Sequence, residues 1–149
     1  MNLTIERVAV WATTIDDQPG CLAKTLTDLW EAGTHLNFIL TRRAPEAFGK
    51  AEVFVTPLQG DAELAAAATL GFNPTTRVHS VRVEGENRPG MAAELTASLA
   101  AAGLNLRGLS AAVIQSRFVL YIGFDSAEDA EKAVAVLQQA GRYKKPYQR

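Results

Sequence analysis

Val8, Val10 and Ala12 alternate with Arg7, Ala9 and Trp11, a period-two pattern that predicts a strand over 6–14. Asp16-Asp17-Gln18-Pro19-Gly20 interrupts it with capping acids and a proline suited to a first helical turn, so a helix is expected to open near Pro19. Leu22, Leu26, Leu29 and Trp30 then recur on one helical stripe, and Gly33 marks the stop. Residues 36–40 and 52–56 read as two strands of a hairpin around the polar connection 42–50. An alanine-rich helix over 61–70 follows, ended by Gly71. The same order returns downstream: a strand over 78–83, a helix over 90–102 with Met91, Leu95 and Leu99 along one side, strands over 104–114 and 118–124, and a helix over 127–140.

This return is a repeat in sequence as well as in pattern. Residues 19–36 align without a gap on residues 89–106, with identity at Pro19/Pro89, Gly20/Gly90, Ala23/Ala93, Leu29/Leu99, Ala32/Ala102, Gly33/Gly103 and Leu36/Leu106. Random composition would give roughly one such match. The expected organisation is therefore two β-α-β-β-α modules, 1–73 and 74–149, related by a pseudo-two-fold axis, each needing a fourth strand to complete βαββαβ. Ala62-Glu63 matches Ala127-Glu128, which makes the first hairpin the longer by five residues. A short closing strand near 73–78 or a strand shared between modules would serve the first repeat. Residues 143–148 would have to serve the second, with Pro146 confining that strand to an edge.

Composition supports a globular chain and narrows its partners. Hydrophobic residues make up 48% of the 149 positions, enough for a core, and the formal net charge is −1. The concentrated charge is the tail with Arg142, Lys144, Lys145 and Arg149, too little for the basic footprint of a nucleic-acid binder. The single cysteine, Cys21, excludes an internal disulfide, and its place in a first helical turn reads as packing before redox chemistry. His35 and His79 lack metal-ligand spacing, so no metal or other cofactor is expected. There is no membrane-length apolar run and no signal-peptide pattern, which gives a cytoplasmic expectation. No nucleophile elbow, phosphate-binding loop or zincin motif is present, and the chain is read as a non-enzyme with no catalytic residue.

The loop Asn87-Arg88-Pro89-Gly90, followed by a helix and by Ala102-Gly103-Leu104-Asn105-Leu106, resembles an ACT domain, a small ferredoxin-like module that senses amino acids. Asp17-Gln18-Pro19-Gly20 with Ala32-Gly33-Thr34-His35-Leu36 resembles the same pattern once more. The resemblance implies an α+β fold with antiparallel sheets and helices on one face. It also implies side-by-side pairing of modules, with ligands held between the loop of one and the second strand of its neighbour. In the serine-sensing ACT domain of phosphoglycerate dehydrogenase the loop reads His-Glu-Asn-Arg-Pro-Gly, and its Asn and the Asn before the second strand contact the ligand. Asn87 and Asn105 occupy those positions here, Asp17 and His35 their counterparts in the first repeat, while the histidine falls on Gly85.

The chemistry of such a site can be stated without the resemblance. A helix N-terminus offers unpaired N–H groups and partial positive charge to a carboxylate, and Gly20 or Gly90 leaves the approach open. Asn87, Asn105 or Asp17 can accept from an ammonium group. Together with the positions the resemblance implies, the candidate ligand-binding residues are Asn87, Arg88, Pro89, Gly90 and Asn105 in the second repeat, with Asp17, Gln18, Gly20 and His35 in the first. The expected function is a regulatory sensor that binds a small amino acid at the interface between its modules. An alternative is an interaction or dimerisation module without a ligand, acting as regulatory subunit of a separate enzyme or as a homodimer.

Overall fold

A computed structural model describes residues 2–142, and the expected closing strand at 143–148 lies outside them. Eight strands and four helices follow in the order β1 (Thr4–Val8), β2 (Trp11–Asp16), α1 (Cys21–Glu31), β3 (Phe38–Arg43), β4 (Lys50–Thr56), α2 (Gly60–Thr69), β5 (Asn73–Pro74), β6 (His79–Glu86), α3 (Met91–Ala101), β7 (Gly108–Ile114), β8 (Arg117–Phe124) and α4 (Ala127–Arg142). They form two antiparallel four-stranded sheets, β3-β4-β2-β5 and β1-β6-β8-β7, in an α+β fold of two ferredoxin-like modules. The first module is Ala9–Thr75, and the second joins the residues before Ala9 to those after Thr75.

That partition changes the expected one at the N-terminus. The predicted strand over 6–14 is two strands in different sheets, parted at Ala9 and Val10, whose carbonyls accept from the Thr56 hydroxyl at 2.7 Å and the Thr75 N–H at 2.9 Å. β1 pairs with β6, Ile5 opposite Val83 and Arg7 opposite Val81, so it fills the edge beside β6 that a closing strand of the second module would take. Periodicity cannot register this change of sheet, because β1 and β2 share one alternation with a two-residue gap. Glycines make room for the arriving strand. A Cβ on Gly85 would lie 2.8 Å from Leu3 Cδ2 and 3.1 Å from Phe118, and one on Gly141 in α4 would lie 3.1 Å from Leu3 Cδ1. Leu3 therefore sits where a side chain at position 85 would otherwise project. In the first module the closing strand is β5, two residues beside β2, within the expected 73–78 window.

Each module has its own core. Leu29, Val53, Val55, Leu58, Ala67 and Phe72 form the first, with Trp11 and Ile15 against it. In the second, Val81, Val83, Phe118, Leu120, Ile122 and Phe124 on the sheet meet Met91, Leu95 and Leu99 of α3 and Ala130, Ala133 and Leu137 of α4. The stripe predicted on α1 is borne out at Leu29, which is wholly buried, and not at Trp30, which is 72% exposed. Thr25 is buried in its stead, its hydroxyl donating to the Cys21 carbonyl at 2.9 Å. The hairpin strands run further than predicted because cross-strand ion pairs, Arg42 with Glu52 and Lys50 with Asp16, carry charged residues into the ladder. Asp16 lies opposite Lys50 where Glu86 lies opposite Arg117, an excess of three residues in the first hairpin rather than five.

Candidate functional site

Both Pro-Gly loops fold identically, and not as expected. The helices start at Cys21, two residues after Pro19, and at Met91, one after the expected Gly90, and no side chain caps them. Pro19-Gly20 and Pro89-Gly90 are instead the central residues of type II turns, closed by N–H donation from Cys21 to the Gln18 carbonyl at 3.2 Å and from Met91 to the Arg88 carbonyl at 3.3 Å. That turn requires positive φ at its third residue, and Gly20 and Gly90 have φ of 88° and 86°. The glycine carbonyls then accept the first helical bonds, from Lys24 and Glu94, both at 2.9 Å. A Cβ at Gly90 would meet nothing within 4 Å, so Gly90→Ala is expected to cost only its backbone strain, about 1–2 kcal/mol. Urea denaturation should show that loss. Gly108→Ala, equally open and without positive φ, should stay within about 0.5 kcal/mol of the parent.

The second loop opens onto a groove. Asn87 donates its backbone N–H to the Ser116 carbonyl at 2.7 Å, which pins the loop to the β7–β8 turn. Directly opposed residues share a face, so Ala111 and Val113 of β7, opposite Leu120 and Phe118, point to the helix side of the sheet. β7 is the edge strand, and the helices leave its inner face open, with Val113 56% exposed. Between this edge and the N-terminus of α3 lies a cavity of about 360 Å³. Asn87, Arg88, Pro89, Gly90, Met91 and Ala92 form one wall, and Ala111, Ala112 and Val113 the other, over Phe118 and Leu120. The N–H groups of Ala92 and Ala93 belong to the uncapped first turn beside it. Arg88 donates to both carboxylate oxygens of Glu94, at 3.0 and 2.5 Å, and this bond holds its guanidinium protonated more firmly than a free arginine.

Of the sequence-predicted residues, the cavity thus gathers Asn87, Arg88, Pro89 and Gly90, and not Asn105. Arg107 N–H donates to the Gly123 carbonyl, so Asn105 lies beyond the Gly108 end of β7, whereas Asn87 lies at the Ile114 end, about 20 Å away along the strand. The first module repeats the arrangement: Asp17 N–H donates to the Gly49 carbonyl at one end of the sheet, Asn37 N–H to the Thr56 carbonyl near His35 at the other. Asp17, Gln18, Gly20 and His35 are all exposed. Here Arg43, which stands on β3 where Val113 stands on β7, donates to the Asp17 carboxylate at 2.9 Å. Sequence reasoning did not single out Arg43 or Val113, whose places beside the loops follow from edge-strand register. Among the described residues no cluster of three or more His, Cys, Asp or Glu could hold a metal, and no helix is long and apolar enough to cross a membrane.

The profile of the ACT domain family matches residues 80–142. Over that span the second module is similar to an ACT domain. The first module repeats the second in sequence and in strand order. Solved structures of the same fold span nearly the whole of it. A Bacteroides thetaiotaomicron protein superposes with a TM-score of 0.75 at 15% identity, over 92% of this chain and 90% of its own. The ligand-free regulatory subunit of aspartate kinase from Thermus thermophilus gives 0.60 at 22% identity, over 93% and 95%. Escherichia coli aspartokinase III in complex with aspartate and ADP gives 0.62 at 16%, over 95% of this chain and 33% of its own. No curated protein matches the sequence at a significant level.

Proposed function

We propose that this chain is a tandem ACT protein acting as a non-catalytic regulatory sensor, and that a small amino acid binds in the groove beside the α3 N-terminus. The observation that carries this reading is the coincidence of a 360 Å³ cavity with the four contiguous residues Asn87 to Gly90 and an uncapped helix start. The ligand carboxylate meets the N–H groups of the first turn, and the Asn87 side-chain oxygen accepts from its ammonium. Kinship of fold with an aspartate kinase regulatory subunit supports a regulatory role, in which occupancy is passed to a partner protein or to a second copy of the chain. Because Asn87 and Asn105 lie at opposite ends of one sheet, a single ligand touching both uses two modules, the loop of one and the strand entry of the other. Asn105, Asp17, Gln18, Gly20 and His35 enter the site only in that bridging form.

A thermal-shift screen of the chain against the proteinogenic amino acids tests the reading. A true ligand at a hundred times its Kd stabilises the folded state by about 2.7 kcal/mol. Asn87→Ala removes a hydrogen bond to a charged group and is expected to weaken binding roughly tenfold or more by calorimetry. Asn105→Ala should do the same if the ligand bridges modules. Unchanged affinity in Asn87→Ala would remove the loop from the site.

A further inference from the structure

We infer that the two modules are unequal by construction: the second takes one amino acid with an uncharged, apolar side chain, and the first is closed by its own side-chain ion pair. The inference rests on the regulatory reading above and adds to it the class of ligand and the number bound. In the second module the groove floor is Phe118 and Leu120, each 2% exposed, and the far wall is Ala111 and Val113. A charged ligand side chain placed there would lose its hydration with no partner to replace it. The nearby cation, Arg88, is bound through both of its terminal nitrogens to Glu94 and is not available as that partner without breaking an existing pair. An aliphatic or thioether side chain exchanges water for apolar wall instead, and the volume suits a small ligand.

The first module shows what happens when two of these positions change. Asp17 stands where Asn87 stands, and Arg43 where Val113 stands, and the two join across the groove at 2.9 Å. The Arg43 side chain, 87% exposed, reaches from the edge strand to the loop over this edge, so what sets the first module apart is a charge pair in place of a short apolar side chain. Asp17 stands in the loop that leads into α1, so an incoming carboxylate meets an acidic residue already paired with Arg43 where the second module offers a neutral asparagine. Ligand entry here would require breaking the pair and separating two charges, while in the second module the loop residue is neutral and the strand residue short.

Isothermal titration of the full chain with L-valine, L-leucine, L-isoleucine and L-methionine, set against L-lysine, L-aspartate and L-serine, decides the matter. The expected result is one equivalent of an apolar amino acid per chain, with the charged ones at least tenfold weaker. Val113→Arg, a change at an exposed edge position, should reduce that affinity tenfold or more with an unchanged melting temperature without ligand. The double variant Asp17→Asn/Arg43→Val, which writes the second module's pair into the first, should raise the stoichiometry from one to two. Binding of a charged or hydroxylic amino acid as tight as that of the apolar set would overturn the ligand class and leave the sensor reading standing. Two equivalents in the parent chain, or one in the double variant, would overturn the ion pair as the closure. Absence of binding by any amino acid would overturn the sensor reading and this inference together.

Discussion

Removal of residues 2–8 is expected to lower the melting temperature of the second module by roughly 10–20 °C while leaving the first module's transition in place. These residues stand at the start of the chain, yet their strand is the outer member of the sheet β1-β6-β8-β7. Their loss strips β6 of one ladder, from Thr4 opposite Glu84 to Val8 opposite Ser80, and uncovers the core where Leu3 and Ile5 pack. Two half-buried aliphatic side chains and the unpaired strand edge together amount to about 3 kcal/mol. The space between Gly85 and Gly141 would stand empty, and neither glycine has a side chain with which to fill it. The readout can be made specific because both tryptophans, Trp11 and Trp30, lie in the first module. Tryptophan fluorescence should report an unchanged transition, and amide hydrogen exchange along β6 should accelerate by one to two orders of magnitude. Loss of the fluorescence transition instead would place the N-terminal strand with the first module, as periodicity alone suggests.

Most of the architecture was legible before any coordinates, for a physical reason that also explains the exception. Helix starts and stops are local: Gly33 and Gly103 end α1 and α3 with Thr34 and Leu104 N–H donating back to the Leu29 and Leu99 carbonyls, a closure that needs positive φ and advertises itself as glycine. The repeat exposed the same logic twice. Sheet membership is not local. Nothing in Arg7-Val8-Ala9-Val10-Trp11 distinguishes a strand that stays in one sheet from one that leaves it, and the decisive contacts come from Thr56 and Thr75, far along the chain. Gly85 held the clue. Read as a ligand position it was only a missing histidine, whereas its Cβ space is taken by Leu3.

The candidate groove was legible in the same uneven way. Pro89 and Gly90 could be named from the repeat, since a turn followed by a helix start is a local device, and Asn87 from the resemblance of its loop; the cavity lies there. The opposing wall could not, because which residues of β7 face the loop depends on its register against β8, with Val113 opposite Phe118. The same register sets Arg43 against Asp17 in the first module and turns two similar loops into different surfaces. At these loops the divergence between the duplicated modules falls on an edge-strand residue and the loop residue facing it, where a substitution alters the surface without disturbing the core beneath.

The core itself makes the opposite demand, and Leu29→Ala and Leu99→Ala are expected to show it. Both leucines are wholly buried, both stand at equivalent positions of the repeat, and both supply the carbonyl that closes the end of their helix. Truncation removes three carbons from a packed interior and leaves a cavity that the surrounding sheet cannot collapse to fill, at about 2–5 kcal/mol each. Because Leu29 packs among Val53, Val55 and Phe72, and Leu99 among Val81, Phe118 and Ile122, each loss should fall on its own module. Leu29→Ala should shift the tryptophan transition to lower urea and leave exchange in β6 and β8 unchanged. Leu99→Ala should reverse that pattern, and the double variant should sum the two within about 0.5 kcal/mol. Leu→Met at either position keeps the volume and should cost less than about 1.5 kcal/mol, which separates loss of packing from any response to substitution as such. A single shared transition that moves equally in both alanine variants would show the modules unfolding as one unit, and the independence of their cores would then be structural without being thermodynamic.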